Sequence, residues 1–191
     1  KVWRDLWENK ARTLQAVLII AMGAFAIGMI ITTRNLLIPA MENIWQAANP
    51  AMINMWVNPR IDDDVITTLK GIEGVEDVEG FSRASIEWRL DPDDNWSAGR
   101  LVARDDYKDQ KYTKLSLLSG EWPQEKKFAV GQGTDTAYGI EQDSQVYIRI
   151  DDHEYVVKIS GVLYAPAIQP PSFGGPAQFY ATRDRFGDLT G

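Results

Sequence analysis

The chain has 191 residues, 20 basic and 27 acidic side chains, a formal net charge of −7 and no cysteine. The absence of cysteine excludes disulfide staples and thiolate metal sites, so any folded domain is held by its core. The acidic balance excludes a nucleic-acid partner, whose phosphates need a basic footprint.

The first element predicted is a short amphipathic helix over residues 1–12. Val2, Trp3, Leu6 and Trp7 share one face, with Arg4, Asp5, Glu8 and Lys10 elsewhere. Indole rings favour the headgroup boundary and cationic side chains favour anionic lipid, so Trp3, Trp7 and Arg12 read as interface anchors on a lipid bilayer. A helix packed against a partner protein would show the same pattern.

No charge then occurs from Thr13 to Thr33. These residues span roughly 31 Å as a helix, the thickness of a bilayer's hydrocarbon core. Gln15 is the only strongly polar side chain before Thr32, so no face is reserved for water, unlike a soluble helix. A buried core helix would need apolar layers that the polar remainder can hardly supply. A cleaved signal peptide is also a poor fit, because the apolar run continues past Ala24-Phe25-Ala26 through Ile31. Residues 13–33 are therefore expected to span a membrane, with Arg34 closing the span.

Lys1, Arg4, Lys10 and Arg12 precede the span and only Arg34 follows it closely. Basic residues stay on the cytoplasmic side, so the N-terminus is expected there and the bulk outside. Residues 1–34 carry net charge +3 and residues 35–191 carry −10. Inside the span, Ala24 and Gly28 form a small-xxx-small pair that permits close helix approach.

Helical spacing continues through Leu37, Ile38, Met41, Ile44, Trp45 and Ala48 to Asn49-Pro50, which predicts a stalk helix over 34–49. Pro39 lacks an amide donor, so it either kinks one helix or starts a second. Pro39, Ile44 and Trp45 are the candidate residues that link the span to the domain beyond it.

Beyond the stalk, MINMWV (52–57) predicts a strand. Asp62-Asp63-Asp64 then open a helix whose apolar face is Val65, Ile66, Leu69 and Ile72, closed by Gly71 and Gly74. Residues 83–90 alternate apolar and polar as a half-buried strand, and a turn over 91–99 leads to a second strand, RLVAR. After Gly120 short strands dominate: FAV, QVYIRI, YVVKISGVLY and QFYAT. Asp151-Asp152 turns the second into the third, and APAIQPPSFGGP forms a long extended loop before the last.

Motifs for catalysis or metal binding are lacking. The run from Asp91 to Asn95 imitates a calcium loop, but Trp96 replaces its glycine and Val102 its bidentate glutamate. Gly131-Gln132-Gly133 has Thr136 where a dinucleotide fingerprint needs glycine. His153 is the only histidine, so neither a shared metal site nor a serine–histidine pair can be argued, and neither enzyme nor cofactor is expected.

Three stretches together resemble the FtsX/MacB-like permeases of ABC transporters, the mechanotransmission family. WRDLWENKARTLQAVLIIAMGAFAIGMI is similar to the family's first segment, an aromatic-basic helix leading into a small-residue-rich span. NPAMINMWVNPRIDDDVITTLKGIEGVEDVEG is similar to the strand, acidic-capped helix and G-V-x-x-V strand of its porter-like lobe. LLSGEWPQEKKFAVGQGTDTAYGIEQDSQVYIRI with VKISGVLYAP is similar to its β-rich, Sabre-like lobe, where Gly120, Thr134 to Gly139 and Gln145 to Ile150 match.

The resemblance implies an α+β fold: amphipathic and transmembrane helices with a stalk, a porter-like βαβ lobe over 50–104, and a β-rich Sabre-like lobe over 105–191. It also implies a longer parent protein with at least three further spans, and a place in the bacterial inner membrane. The implied partners are a separate cytoplasmic ABC ATPase, a second permease copy or paralogue forming a dimer, and a periplasmic adaptor. The implied role is to couple ATP hydrolysis to movement of an extracytoplasmic domain in export or in lipoprotein or peptide handling. A single-span anchored receptor or binding domain is the alternative; an anchored hydrolase lacks candidate residues.

Overall fold

The computed structural model describes residues 10–57, 63–166 and 168–190. The chain divides into two compact units, residues 1–46 and 47–191. The fold is α+β, a long apolar helix followed by a sheet-rich domain.

Helix α1, Lys10–Ala47, runs through residues 13–33 and on, with Pro39 inside it, to two residues short of the expected end of the stalk at Asn49. Its 38 residues correspond to roughly 57 Å. None of its residues is buried. Leu18, Ile20, Phe25 and Ile30 are among its exposed side chains, and the helix is long and apolar enough to cross a membrane. Apart from Lys10 to Arg12, the expected interfacial helix over 1–12, with Trp3 and Trp7, lies outside the described residues.

In the second unit, Asp63–Lys70 forms helix α2. Seven strands follow: Ser82–Arg89 (β1), Ser97–Arg104 (β2), Ser116–Gly120 (β3), Lys127–Gly131 (β4), Gln145–Ile150 (β5), His153–Tyr164 (β6) and Ala177–Thr182 (β7). Helix α3, Thr134–Tyr138, lies between β4 and β5, and helix α4, Arg183–Thr190, follows β7.

The strand order is β3-β6-β4-β7-β2-β1-β5, and β5 pairs back onto β6. Six strands thereby close into a barrel, and β3 is left as an outer strand on β6. The length of β6 makes this possible: His153 to Lys158 pairs with β5, whereas Gly161 to Tyr164 pairs with β3. The β5–β6 hairpin turns through Asp151 and Asp152, both at positive φ, the backbone a two-residue type I′ turn requires.

The interior alternation of β5 buries Val146, Ile148 and Ile150, which meet Ile86 and Trp88 of β1 and Phe179 of β7. Each such side chain contributes about 1.5–3 kcal/mol when fully buried. Strands β2, β4 and β7 are buried on both faces, because Val102, Ala129, Leu163 and Tyr180 pack outward against Tyr107 and Leu115. The segment 105–115 is therefore a lid over the outer face of the barrel.

Local expectations are corrected at three places. Residues 52–57 form no strand: Met52, Ile53, Met55, Trp56 and Val57 are all exposed, and no strand among the described residues offers them a ladder. Trp56 lies edge-on to Phe81 and beneath the Arg83 guanidinium. The G-V-x-x-V stretch after α2 likewise lies outside every described strand. The proline-rich loop over 165–176 is folded rather than extended. Pro171–Phe173 makes a 3₁₀ turn, and a side chain at Gly175 would collide with the Gln169 carbonyl oxygen. Strand β1 hydrogen-bonds to β5 and strand β2 to β7.

Candidate functional site: a clamp on residues 48 and 49

Helix α1 ends at Ala47, and the next residue is the first buried one among the described residues. Asn49 adopts φ 47°, the left-handed conformation by which chains commonly leave a helix and for which asparagine is well suited. Three hydrogen bonds then fix this exit. The Thr113 amide donates to the Asn49 carbonyl at 3.0 Å, the Lys114 amide to the Ala48 carbonyl at 2.8 Å, and Asn49 Nδ2 to the Lys111 carbonyl at 2.7 Å.

The segment 111–114 is held in turn from below. Arg104, at the end of β2 and only 4% exposed, donates from Nη1 to the Tyr112 carbonyl and from Nη2 to the Thr113 carbonyl, both at 3.0 Å. Its charge is met by Glu79 Oε1 at 3.0 Å. The other Glu79 oxygen accepts from the amides of Lys111 at 3.1 Å and Tyr112 at 2.7 Å. One carboxylate thus neutralises a buried cation and also fastens the backbone of the loop.

Further contacts stiffen the same loop. Gln110 donates to the Tyr107 and Leu115 carbonyls and accepts from the Leu115 amide. Tyr107 donates its hydroxyl to the Ala181 carbonyl of β7 at 2.7 Å, and burial raises its pKa. Lys111 and Lys70 both pair with Asp77. The Lys111 hydrogen bond, with help from the Val78 amide, lowers the Asp77 pKa to about 2.

This arrangement has no catalytic geometry, since its charged groups are paired with one another and with backbone. Within the unit spanning residues 47–191, Ala48 and Asn49 are tied to a loop, and the loop is tied to a barrel strand by a part-buried ion pair. Among the described residues no group of three His, Cys, Asp or Glu side chains is placed to hold a metal.

The residues singled out from sequence are strung along α1 rather than gathered. Arg12, Arg34, Pro39, Ile44 and Trp45 are all exposed on that helix, with Arg12 and Arg34 roughly 33 Å apart along it. Glu79, Arg104, Asn49 and Lys111 were not legible as a site. One signal was available: RLVAR ends in an arginine at a strand position whose neighbours are buried, and a buried guanidinium demands a carboxylate.

No family model matches the chain, and no curated protein is significantly similar to it. Among solved structures, the chain is similar to the extracellular domain of the noncanonic ABC-type transporter YknZ from Gram-positive bacteria. That likeness covers 74% of this chain and 73% of that one, at 16% identity and a TM-score of 0.46.

Proposed function

We propose that the chain belongs to a permease subunit of an ABC transporter of the FtsX/MacB-like kind. In this reading it couples ATP hydrolysis by a separate cytoplasmic partner to movement of an extracytoplasmic domain, for export or for lipoprotein or peptide handling. The observation that carries the reading is the uninterrupted helix Lys10–Ala47, followed without any linker by the clamped residues Ala48 and Asn49. A tether for a passive binding domain needs no such continuity, and flexible Gly/Ser-rich sequence would serve it. The resemblance of the aromatic-basic opening and the span supports the same conclusion.

The working parts are assigned accordingly. Residues 13–33 cross the bacterial cell membrane with the N-terminus in the cytoplasm. Trp3, Trp7, Arg12 and Arg34 anchor the two interfaces, and residues 34–49 with Pro39, Ile44 and Trp45 form the stalk. The porter-like and Sabre-like lobes, 50–104 and 105–191, are the moved body, and a second permease copy and an adaptor complete the assembly.

The test replaces Ile44-Trp45 with Gly-Ser-Gly-Ser in the complete membrane protein, reconstituted with its ATPase in nanodiscs. The readout is amide hydrogen exchange at residues 111–114 in ATP against ADP. The unmodified protein should show an ATP-linked difference there, and the insertion should abolish it while ATP hydrolysis persists, because a coil carries no displacement. An ATP-linked difference retained in full by the insertion mutant refutes the coupling. Its absence from the unmodified protein favours the anchored receptor.

A further inference from the structure

The outer face of the barrel carries uncompensated positive charge at β1 and β2. Ile86 and Trp88 of β1 and Leu101 and Ala103 of β2 belong to the core, so by alternation Arg83, Ser85 and Arg100 stand on the outside. Ser85 is directly opposite Arg100 in the antiparallel register and Arg83 is opposite Val102, which makes the two arginines diagonal neighbours on one face. Arg83 and Ser85 are exposed and Arg100 is half-buried.

Three observations define what this face accepts. The first is that its charge is unpaired. Arg89, Arg104, Arg149, Arg183 and Arg185 each have a carboxylate partner, whereas among the described residues the side chains of Arg83 and Arg100 have none. Acid is not scarce, since residues 35–191 carry net charge −10. Glu87, the next outward residue of β1 after Ser85, is drawn away from β2 by Nε and Nη2 of Arg149 on β5. The second observation is the seat of Arg83, whose guanidinium carbon lies 3.5 Å from the centroid of the Trp56 ring. An indole holds a guanidinium in place and leaves its N–H groups free for an anion. The third is mutual repulsion: partial desolvation first, and the Arg100 charge second, lower the Arg83 pKa. An anion between the two cations relieves that repulsion.

We propose that Arg83, Ser85 and Arg100 bind a phosphoryl group, either free phosphate or the terminal phosphate of a lipid headgroup. Guanidinium forks fit carboxylate and phosphate oxygens alike, so charge selects between them. A phosphate monoester carries about −1.5 to −2 at pH 7 and three strong acceptor oxygens, which suits two cations and a hydroxyl. A single carboxylate would leave one of the cations uncompensated.

The experiment is calorimetric titration of the whole chain, in maltoside detergent at constant ionic strength, with inorganic phosphate, glycerol 3-phosphate and acetate. Saturable phosphate binding is expected, weakened about tenfold by Arg83→Gln and by Arg100→Gln. Arg100→Lys keeps the charge without the fork and should fall between Arg100→Gln and the unmodified chain. These side chains reach solvent, and an unchanged circular dichroism spectrum verifies that each variant keeps the fold. Arg185→Gln removes the same charge beside Asp188 and should alter phosphate affinity by less than about twofold. Glycerol 3-phosphate binding more tightly than inorganic phosphate supports the site with a headgroup as its source; equal affinities support it with free phosphate. Absence of saturable binding to the unmodified chain overturns the proposal, as does acetate binding as tightly as phosphate. A loss with Arg185→Gln as large as with Arg83→Gln marks bulk charge and overturns it equally.

Discussion

Glu79→Ala is the sharpest probe of the clamp. The substitution leaves the Arg104 guanidinium, 4% exposed, without its anion, and deprives the Lys111 and Tyr112 amides of their acceptor. Removing one member of a buried ion pair costs about 3–5 kcal/mol. Among the described residues Arg104 Nε has no hydrogen-bond partner, so the cation depends on Glu79 and on two carbonyls. Because the Glu79 side chain keeps 18% exposure, water can reach part of the vacated site, and the low end, about 3 kcal/mol, is the expected loss. For the unit spanning residues 47–191, each kcal/mol lowers the melting temperature by roughly 3 °C, so the midpoint should fall by about 9 °C.

The assay is thermal unfolding of the full chain in detergent, read by near-ultraviolet circular dichroism. Glu79→Gln, which keeps an acceptor but not the charge, should lose less. Glu79→Ala combined with Arg104→Met removes both charges, and the double variant should be more stable than the sum of the single losses by at least about 1 kcal/mol. Amide exchange adds a local reading: the Thr113 and Lys114 amides, bonded to residues 49 and 48, should open before those of the barrel core. A Glu79→Ala loss within about 0.5 kcal/mol, the range of an ordinary surface change, refutes the clamp.

Acid should loosen the neighbouring Asp77 contacts within a defined window. The folded-state pKa of Asp77 is lowered from 3.8 to about 2, so its contribution is present above about pH 4 and is lost as pH falls toward 2. Asp77→Asn should flatten the pH dependence of the urea midpoint in that window; an unchanged dependence counts against the Lys111 and Lys70 pairing. A reporter active only outside the cytoplasm, fused after Asn49, should be active, and one fused before Lys10 inactive; the reverse pattern overturns the orientation drawn from the flanking charges.

Where local pattern and tertiary outcome coincide, the sequence was readable. The alternation in QVYIRI and the Asp-Asp turn specify a strand and its hairpin without outside help, and β5 occupies Gln145–Ile150. Likewise α1 could be read because its long uncharged run shows no strand alternation, and it is helical from Lys10 to Ala47. Strand β3 was missed because four of its five residues are exposed, leaving no alternation to detect. Helix α4 was missed because Phe186 and Leu189 alone bury its face and Gly187 interrupts it. Apolar content misled over 52–57: strand-like composition is realised only if an edge is present to pair with, and none is among the described strands.

The clamp was illegible for a deeper reason. Its acceptors are mostly backbone carbonyls, of residues 48, 49, 111, 112 and 113, and every residue type supplies a carbonyl, so no motif records them. Its two specific side chains, Glu79 and Arg104, are 25 residues apart, and β2 is brought to β7 by a parallel pairing that local periodicity does not encode. Links in series yield at the weakest, and within α1 that point is Pro39, which has no amide to donate to the preceding turn. The exit at residues 48 and 49 has three hydrogen bonds instead, each to a loop braced by a part-buried ion pair. Within the unit spanning residues 47–191, residues 48 and 49 are thereby connected to Arg104 and β2 through residues 111–114, by bonds whose acceptors no sequence motif could have recorded.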